Sequence, residues 1–498
     1  MESIEDAIRS ISIDTAPGPD GILLRTIRIV KAAGAIHQIA KIMLAWNYVP
    51  KKFQTGRTIL IYKGKGDETD LKNWRPITIF SVIRRIIERS LDRELRSLTR
   101  FHCLQRGFVS GMPGTHINAS IVQGCLKEAK RSRKNCCVVM LDLAKAYDSV
   151  GHEHLRKTLE ALPIPHSLRQ LVTSLAMDNS FQLEINKIKS RPIKMLRGVA
   201  QGSPLSPTLF NLCQDFVLKE VADSDVASVH GFSLRPDLEN VITMAFADDN
   251  VLITSNPSSA AAMVDLVKGL FNEVGMTINP SKSVAINIRE GILVQDSLTL
   301  ADGSTIVAIS PSEQIRYLGV NFSDEIVFDQ RKFAMSLEKD LNNLITSALL
   351  RADQKLNILN QYIYPKLVYP LQTTPVDLLE NSFLQRVDMI IRQAVREICS
   401  LPADTPIPVY YSPRKYRGLG LLRVTWEASI QHISISQKLS LVNDSHLAAV
   451  RDTEEEERIC REKLGDVSNP NARTIRAELR EAEFQKWTSL PQRGIGVQ

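Results

Sequence analysis

The spacing of apolar residues along the chain changes character near residue 136 and again near residue 325. Before the first change, residues 2–11 predict a short helix, with Ser3 and Asp6 at the spacing of a capping box. APGPDGI (16–22) packs two prolines and two glycines into a rigid turn. RTILIY (57–62) predicts a strand, KGKGDETD (63–70) a loop, and residues 78–100, beyond WRPI (74–77), a long basic helix. Between the two changes, CCVVMLD (136–142) predicts a buried strand and residues 152–161 a helix. FQLEINKI (181–188) alternates with period two, as a half-buried strand does. PLSPTLFNLCQDFVLKEV (204–221) predicts a helix with an early proline, which its first turn accepts. VITMAFADDNVLIT (241–254) predicts a hairpin joined at Asp248–Asp249, and a helix over 258–274 leads into GMTINPSKSVAINI (275–288). Hairpins mixed with helices, rather than strict alternation, predict an α+β fold.

Beyond residue 325 the pattern is helical. Over 378–398, Leu379, Phe383, Leu384, Val387, Ile390, Ile391, Ala394, Val395 and Ile398 fall at amphipathic spacing, with Arg386, Arg392 and Arg396 interleaved. EEEE (454–457) and the polar run through 475 predict a linker with loose helices.

With 498 residues, 44% hydrophobic and 23% charged, the chain is too apolar for wholesale disorder and long enough for about three folding units. No stretch approaches the ~20 uncharged apolar residues of a membrane span. MESIEDAIRS places acids where a secretory signal needs positive charge, so a soluble, non-secreted protein is expected. The seven cysteines show no CxxC spacing, which disfavours zinc and redox motifs. The net charge of +7 conceals an asymmetry: residues 1–134 hold 24 Lys and Arg against 12 Asp and Glu, whereas the remainder is acidic by five. A basic first third suits a polyanion, and an acidic remainder can gather carboxylates.

Asp142 ends an apolar strand, and Asp248 and Asp249 mark the tip of an apolar hairpin. Carboxylates are costly to bury unless paired or bound to metal. Two strands delivering acids to one sheet edge can hold two hard cations about 3.5–4 Å apart, which activate an attacking hydroxyl and stabilise a leaving phosphate. Mg²⁺ suits oxygen ligands shared with substrate phosphates.

The neighbours of these acids sharpen the picture. LDLAKAYDSV (141–150), GVAQGSPLSPTLFN (198–211), AFADD (245–249), GMTINPSKS (275–283) and RYLG (316–319) resemble, in order, motifs A to E of a reverse transcriptase palm. APGPDGI, the block from IYKGKGD to NWRPI (61–77) and QRGFVSG (105–111) look like finger blocks of non-LTR, LINE-type retrotransposon enzymes. LPADTPIPVYY (401–411) and RGLGL (417–421) look like the thumb of the site-specific subgroup that carries a restriction-like endonuclease. The likeness spans residues ~1–425 and weakens beyond.

That resemblance implies a right-hand polymerase: amino-terminal extension and fingers over 1–135, palm over 136–320 with part of the fingers near 155–197, helical thumb over 321–425, and a helical or linker segment over 426–498. It implies RNA-directed DNA synthesis with dNTPs on an RNA template and a DNA primer, primed on nicked target DNA, with two Mg²⁺ ions (Mn²⁺ as alternative). Asp142, Asp248 and Asp249, with the Leu143 carbonyl, would hold the metals. Tyr147 would be the steric gate that excludes a 2′-OH, and Gln201 and Gly202 would touch the nucleotide and the templating pair. Lys63, Lys65 and Arg75 would clamp the triphosphate, Arg75 through a bidentate fork. Lys282 would protonate the pyrophosphate leaving group. Asn250, where the family has an apolar residue, is expected to loosen the hairpin. Neither zinc fingers, nor a Cys/His knuckle, nor an endonuclease is visible. The expectation is therefore the polymerase portion of a longer element protein, or a truncated copy, with nicking supplied by a missing part or another protein. A nuclear location follows from the life cycle alone. The alternative is a decayed or domesticated RNA-binding relic.

Overall fold

The segment CCVVML is apolar at every position because both of its faces are covered: all six residues of the strand Cys136–Leu141 are buried. In the computed structural model, which describes residues 2–64, 66–186, 188–222, 225–465, 467 and 471–490, this strand is the centre of a seven-stranded sheet. Asp249–Thr254 and Val284–Arg289 flank it antiparallel. Thr243–Phe246 lies outside the first, and Thr305–Ala308 and Leu298–Thr299 outside the second. Cys137, Val139 and Leu141 face one core with the helices His152–Ala161, His166–Met177, Ser206–Ala222 and Pro257–Glu273. Cys136, Val138 and Met140 face another core, built on the helix Gly114–Arg131.

A smaller sheet precedes it. Thr55–Tyr62 pairs antiparallel with Trp74–Ile79 and parallel with Ser180–Ile185, which adds two short edge strands. Arg84, fully buried, joins this sheet to its helices: it bonds Glu88 (2.8 Å), Asn179 (2.7 Å) and the carbonyls of Phe53 and Leu175, and lies over the Phe80 ring. A helical unit follows the second sheet. Gln330–Thr346, Tyr364–Thr373 and Asn381–Cys399 enclose a third core, and Asp388 caps the later helix Val424–Leu439 by accepting from the Val424 and Thr425 amides. The fold is α+β. Among the described residues no helix is long and apolar enough to cross a membrane.

Several expectations are corrected. The helix expected from residue 78 begins at Val82 behind its Ser81 cap, because WRPI opens a strand that runs on to Ile79. Ser3 lies inside the first helix and bonds Ser90 from there, so it is no cap. The helix Gly114–Arg131 packs on the large sheet. The polar carboxy-terminal stretch is no linker. Its helices Ser445–Val450 and Thr453–Leu464 pack on Gly114–Arg131 and Val424–Leu439 respectively, with Leu447, Cys460, Ile475 and Trp487 buried. Widely spaced apolar anchors in a charged background leave little period to detect.

Candidate active site

Register brings the acids together. Leu141 stands opposite Asn250, so one step further along the adjacent strands come Asp142 and Asp249. Phe246 pairs with Asp249, leaving Ala247 and Asp248 as a two-residue tip in which Ala247 adopts φ +54°. Asp142 is held by the loop of residues 275–283. Its amide donates to Ser283 Oγ (3.1 Å) and its carbonyl accepts from the Asn279 amide (2.8 Å), while the Ala144 amide reaches the Thr277 carbonyl (2.8 Å). These bonds bracket Leu143, whose side chain is buried and whose carbonyl the bridge leaves unused. The same loop sets exposed Lys282 beside the acids.

The site is electrostatically strained. Burial raises the Asp142 carboxyl above its usual range; Lys282 and Lys63 oppose this and Asp248 adds to it. Asp248 and Asp249 keep solvent access at the tip but are crowded from behind. Burial raises Asp248 against the pull of its own backbone hydrogen bond and of Arg75. Asp249 is pushed up to about 6 by burial and by the charges of Asp248 and Asp142. Carboxylates in this condition lack positive charge.

Tyr147 stacks flat on Phe210, ring centroids 4.8 Å apart, and its carbonyl accepts from the Val199 amide (2.7 Å). Burial raises its hydroxyl, with Asp248 contributing. Gln201 accepts from the Thr78 amide at its backbone (2.8 Å) and reaches Asp148 with its side chain (3.3 Å). Gly202 has φ +120°, and a side chain there would strike the Thr78 carbonyl, so the close backbone it admits is the small sheet itself. Arg75 is exposed on the strand Trp74–Ile79 and its charge is felt at Asp248. The Lys63 ammonium donates to the Lys72 carbonyl (2.7 Å), yet its charge still reaches Asp142 and Asp148. Lys65 lies outside the described residues. Asn250 ties the hairpin instead of loosening it: buried, it donates to the Asp248 carbonyl (3.0 Å). Of the arginines on the helix Asn381–Cys399, Arg392 is engaged with the Tyr411 hydroxyl (2.8 Å).

Asp148 escapes a reading by strand ends and hairpin tips. Burial raises its carboxyl, opposed by Gln201, Lys145 and Lys63. Its signal was its place directly after Tyr147 in AKAYDSV.

Among the described residues no three acidic, His or Cys side chains stand at ligand spacing around one point. Oxygen donors that converge without closing a shell fit Mg²⁺, which uses one or two carboxylates and completes its octahedron with water and substrate phosphates.

The family model described as reverse transcriptase (RNA-dependent DNA polymerase) matches residues 61–322. The chain is 29% identical over 425 residues to the retrovirus-related Pol polyprotein from the type-1 retrotransposable element R2 of Popillia japonica, covering 84% of this chain and 57% of that protein. It is 28% identical over 447 residues to the corresponding polyprotein of the type-2 element R2DM of Drosophila melanogaster, covering 88% and 40%. The chain thus spans less than two thirds of either relative. Among solved structures, telomerase from Candida tropicalis in complex with a telomeric RNA fragment is similar over 87% of this chain and 64% of that one, at 14% identity and a TM-score of 0.44.

Proposed function

The chain belongs to the reverse transcriptase (RNA-dependent DNA polymerase) family, and from that premise we propose that it copies a retrotransposon RNA into DNA by extending a DNA 3′-OH with dNTPs. The observation that carries this reading is the convergence of Asp142 with Asp248 and Asp249 at the ends of adjacent antiparallel strands of one sheet. We assign the small sheet and its helices as fingers, the large sheet with the helix Gly114–Arg131 as palm, and the helices from Gln330 as thumb.

Two Mg²⁺ ions, when bound, would supply Lewis-acid activation of the primer hydroxyl and stabilisation of the leaving pyrophosphate. The residues do the rest. Asp142, Asp248 and the Leu143 carbonyl offer the ligands, and Asp249 completes the negative field. Arg75, on a finger strand, and Lys63, just past the end of another, approach the site where the triphosphate would enter; Lys65 is assigned the same role from the sequence. The Tyr147 ring, fixed by its stack on Phe210, would lie under the incoming sugar and exclude a 2′-OH. Gln201 and Gly202 would shape the floor beneath the new base pair. Lys282, held by the loop that grips Asp142, would give its proton to the pyrophosphate oxygen. The basic amino-terminal third would hold template and primer through phosphates, so binding should weaken steeply with salt. Priming on nicked target DNA, the source of the nick and action in the nucleus belong to the same proposal, on the likeness to R2 elements.

The test is primer extension on an RNA template with dNTPs and Mg²⁺, beside Asp248→Ala/Asp249→Ala. Extension abolished by the double substitution is expected. No extension with salt-sensitive RNA binding intact would leave an RNA-binding relic instead.

A further inference from the structure

The tip that presents Asp248 is backbone of a strained kind. Ala247 sits at φ +54°, a left-handed conformation that a residue with a Cβ adopts at a cost. A two-residue hairpin loop calls for positive φ at its first central residue, a conformation costly for alanine, and three buried amide side chains grip it from behind. The Gln105 Oε1 accepts from the Ala247 amide (2.9 Å) and also from the Gly107 amide (2.9 Å). Its Nε2 donates to Gln214 Oε1 (3.0 Å), Gln214 Nε2 donates to Asn250 Oδ1 (2.5 Å), and Asn250 Nδ2 donates to the Asp248 carbonyl (3.0 Å). The relay has one polarity. Because Gln105 Oε1 takes two backbone N–H groups, its nitrogen must face Gln214, and every later amide is oriented in turn.

The three side chains come from different elements: a loop of residues 104–107, the helix Ser206–Ala222 and the strand Asp249–Thr254. They are all but excluded from solvent. The loop is itself tied to the hairpin, since the Arg106 amide donates to the Ala245 carbonyl (2.9 Å) and the Ala245 amide to the Leu104 carbonyl (3.0 Å), and to the helix Ser206–Ala222, since Asn211 Nδ2 donates to the Gly107 carbonyl (2.7 Å). A side chain at Gly107 would strike the Ala247 amide, which shows how closely loop and tip are fitted. The clasp therefore closes on the Ala247 N–H from one side and on the Asp248 C=O from the other.

We propose that Gln105, Gln214 and Asn250 are positioning residues, a buried amide clasp that holds the Ala247–Asp248 tip in its left-handed turn and so fixes where the Asp248 carboxylate meets its metal. This rests on the reading of Asp248 as a metal ligand in nucleotidyl transfer. Buried polar chains of this kind are costly when half satisfied and rigid when complete.

The test compares two variants that each orphan buried hydrogen-bonding groups. Asn250→Leu removes the grip on the Asp248 carbonyl. Asn179→Leu removes an acceptor from Arg84, in the core of the small sheet. Both should lower Tm. Only Asn250→Leu should speed hydrogen exchange in the segment 243–252 at least tenfold and raise the Mg²⁺ concentration for half-maximal extension at least fivefold. Template–primer affinity should stay within twofold of wild type. Wild-type exchange at the tip in Asn250→Leu would overturn the clasp, as would an equal change in Asn179→Leu. If the wild-type chain extends no primer, the polymerase reading fails, and the exchange data alone still decide whether the clasp holds the tip.

Discussion

Two regions of this protein crowd charged side chains, and they treat them in opposite ways. Around Arg84 almost every charge is answered: a fully buried guanidinium meets Glu88, an amide, two carbonyls and an aromatic face. Beside the large sheet, Asp142, Asp148, Asp248 and Asp249 are raised above the usual carboxylate range, with cations at a distance and no ion pair to any of the described residues. The first arrangement ties the helix Val82–Leu98 to the segments that lead into the strands Thr55–Tyr62 and Ser180–Ile185. The second leaves a deficit of positive charge that a substrate-bound cation can fill. Strongly shifted acids mark function when nothing inside the fold compensates them.

The sharpest way to test that contrast is Asp248→Asn. Primer extension should fall about a thousandfold or more, equivalent to roughly 4 kcal/mol of transition-state stabilisation. Tm should hold or rise, since a crowded charge is removed; a clear fall in Tm would make Asp248 a structural acid like Glu88. Next, Arg84→Met should destabilise by about 3–5 kcal/mol in urea unfolding, because Glu88 stays buried without its partner. Arg84→Met/Glu88→Leu should recover much of that loss, and failure to recover would show that the pair does more than neutralise itself. Tyr147→Val should raise ribonucleotide use relative to dNTP at least about tenfold, worth ~1.4 kcal/mol of selectivity; unchanged selectivity would reduce Tyr147 to packing against Phe210.

Acidity separates the regions more gently. Asp249 has a folded pKa of about 6, above the ordinary carboxylate value, so the unfolded chain binds fewer protons between roughly pH 4 and 6. Stability without divalent cations should therefore fall as pH rises through that window and level off above it. Solvent at the tip screens the effect, so a change in Tm of no more than about 3 °C is expected between pH 5 and 7.5. Mg²⁺ should raise Tm at pH 7.5 and lose that effect as pH falls below about 6, where Asp249 is protonated. The same trend in an Asp249→Asn chain would exclude Asp249 as its source. Smallest of all, Arg458→Ala, which removes exposed pairs to Glu455 and Glu462, should leave Tm unchanged within error.

How much of this was legible beforehand depended on the range of the interactions involved. The helix His152–Ala161 agrees with its periodicity to the residue, and the strand and hairpin that present Asp142, Asp248 and Asp249 follow from short apolar runs ending in acids. The strand Trp74–Ile79 did not, because Arg75 and Pro76 interrupt its alternation and its partner Thr55–Tyr62 alone makes it a strand. Asn250 misled for the same reason: seen alone it is a polar flaw in a strand, and only Gln214 and the Asp248 carbonyl turn it into a tie. The carboxy-terminal helices hid their anchors in charge, and the part-buried ion pair of Arg106 with Asp444 (2.5 Å) that helps dock them spans 338 residues.

By itself the amino-acid sequence determined the inventory: which runs are helix or strand by period, which acids end apolar strands, and the ordered motifs that place the chain among reverse transcriptases. Local pattern suffices for these because backbone propensity and alternating burial act over a few residues. Tertiary structure alone decided which acids come together, which charges are answered, and how Gln105, Gln214 and Asn250 close on one turn. Those outcomes depend on hydrogen-bond geometry and desolvation between residues far apart in the chain, and both exist only once the layers have packed.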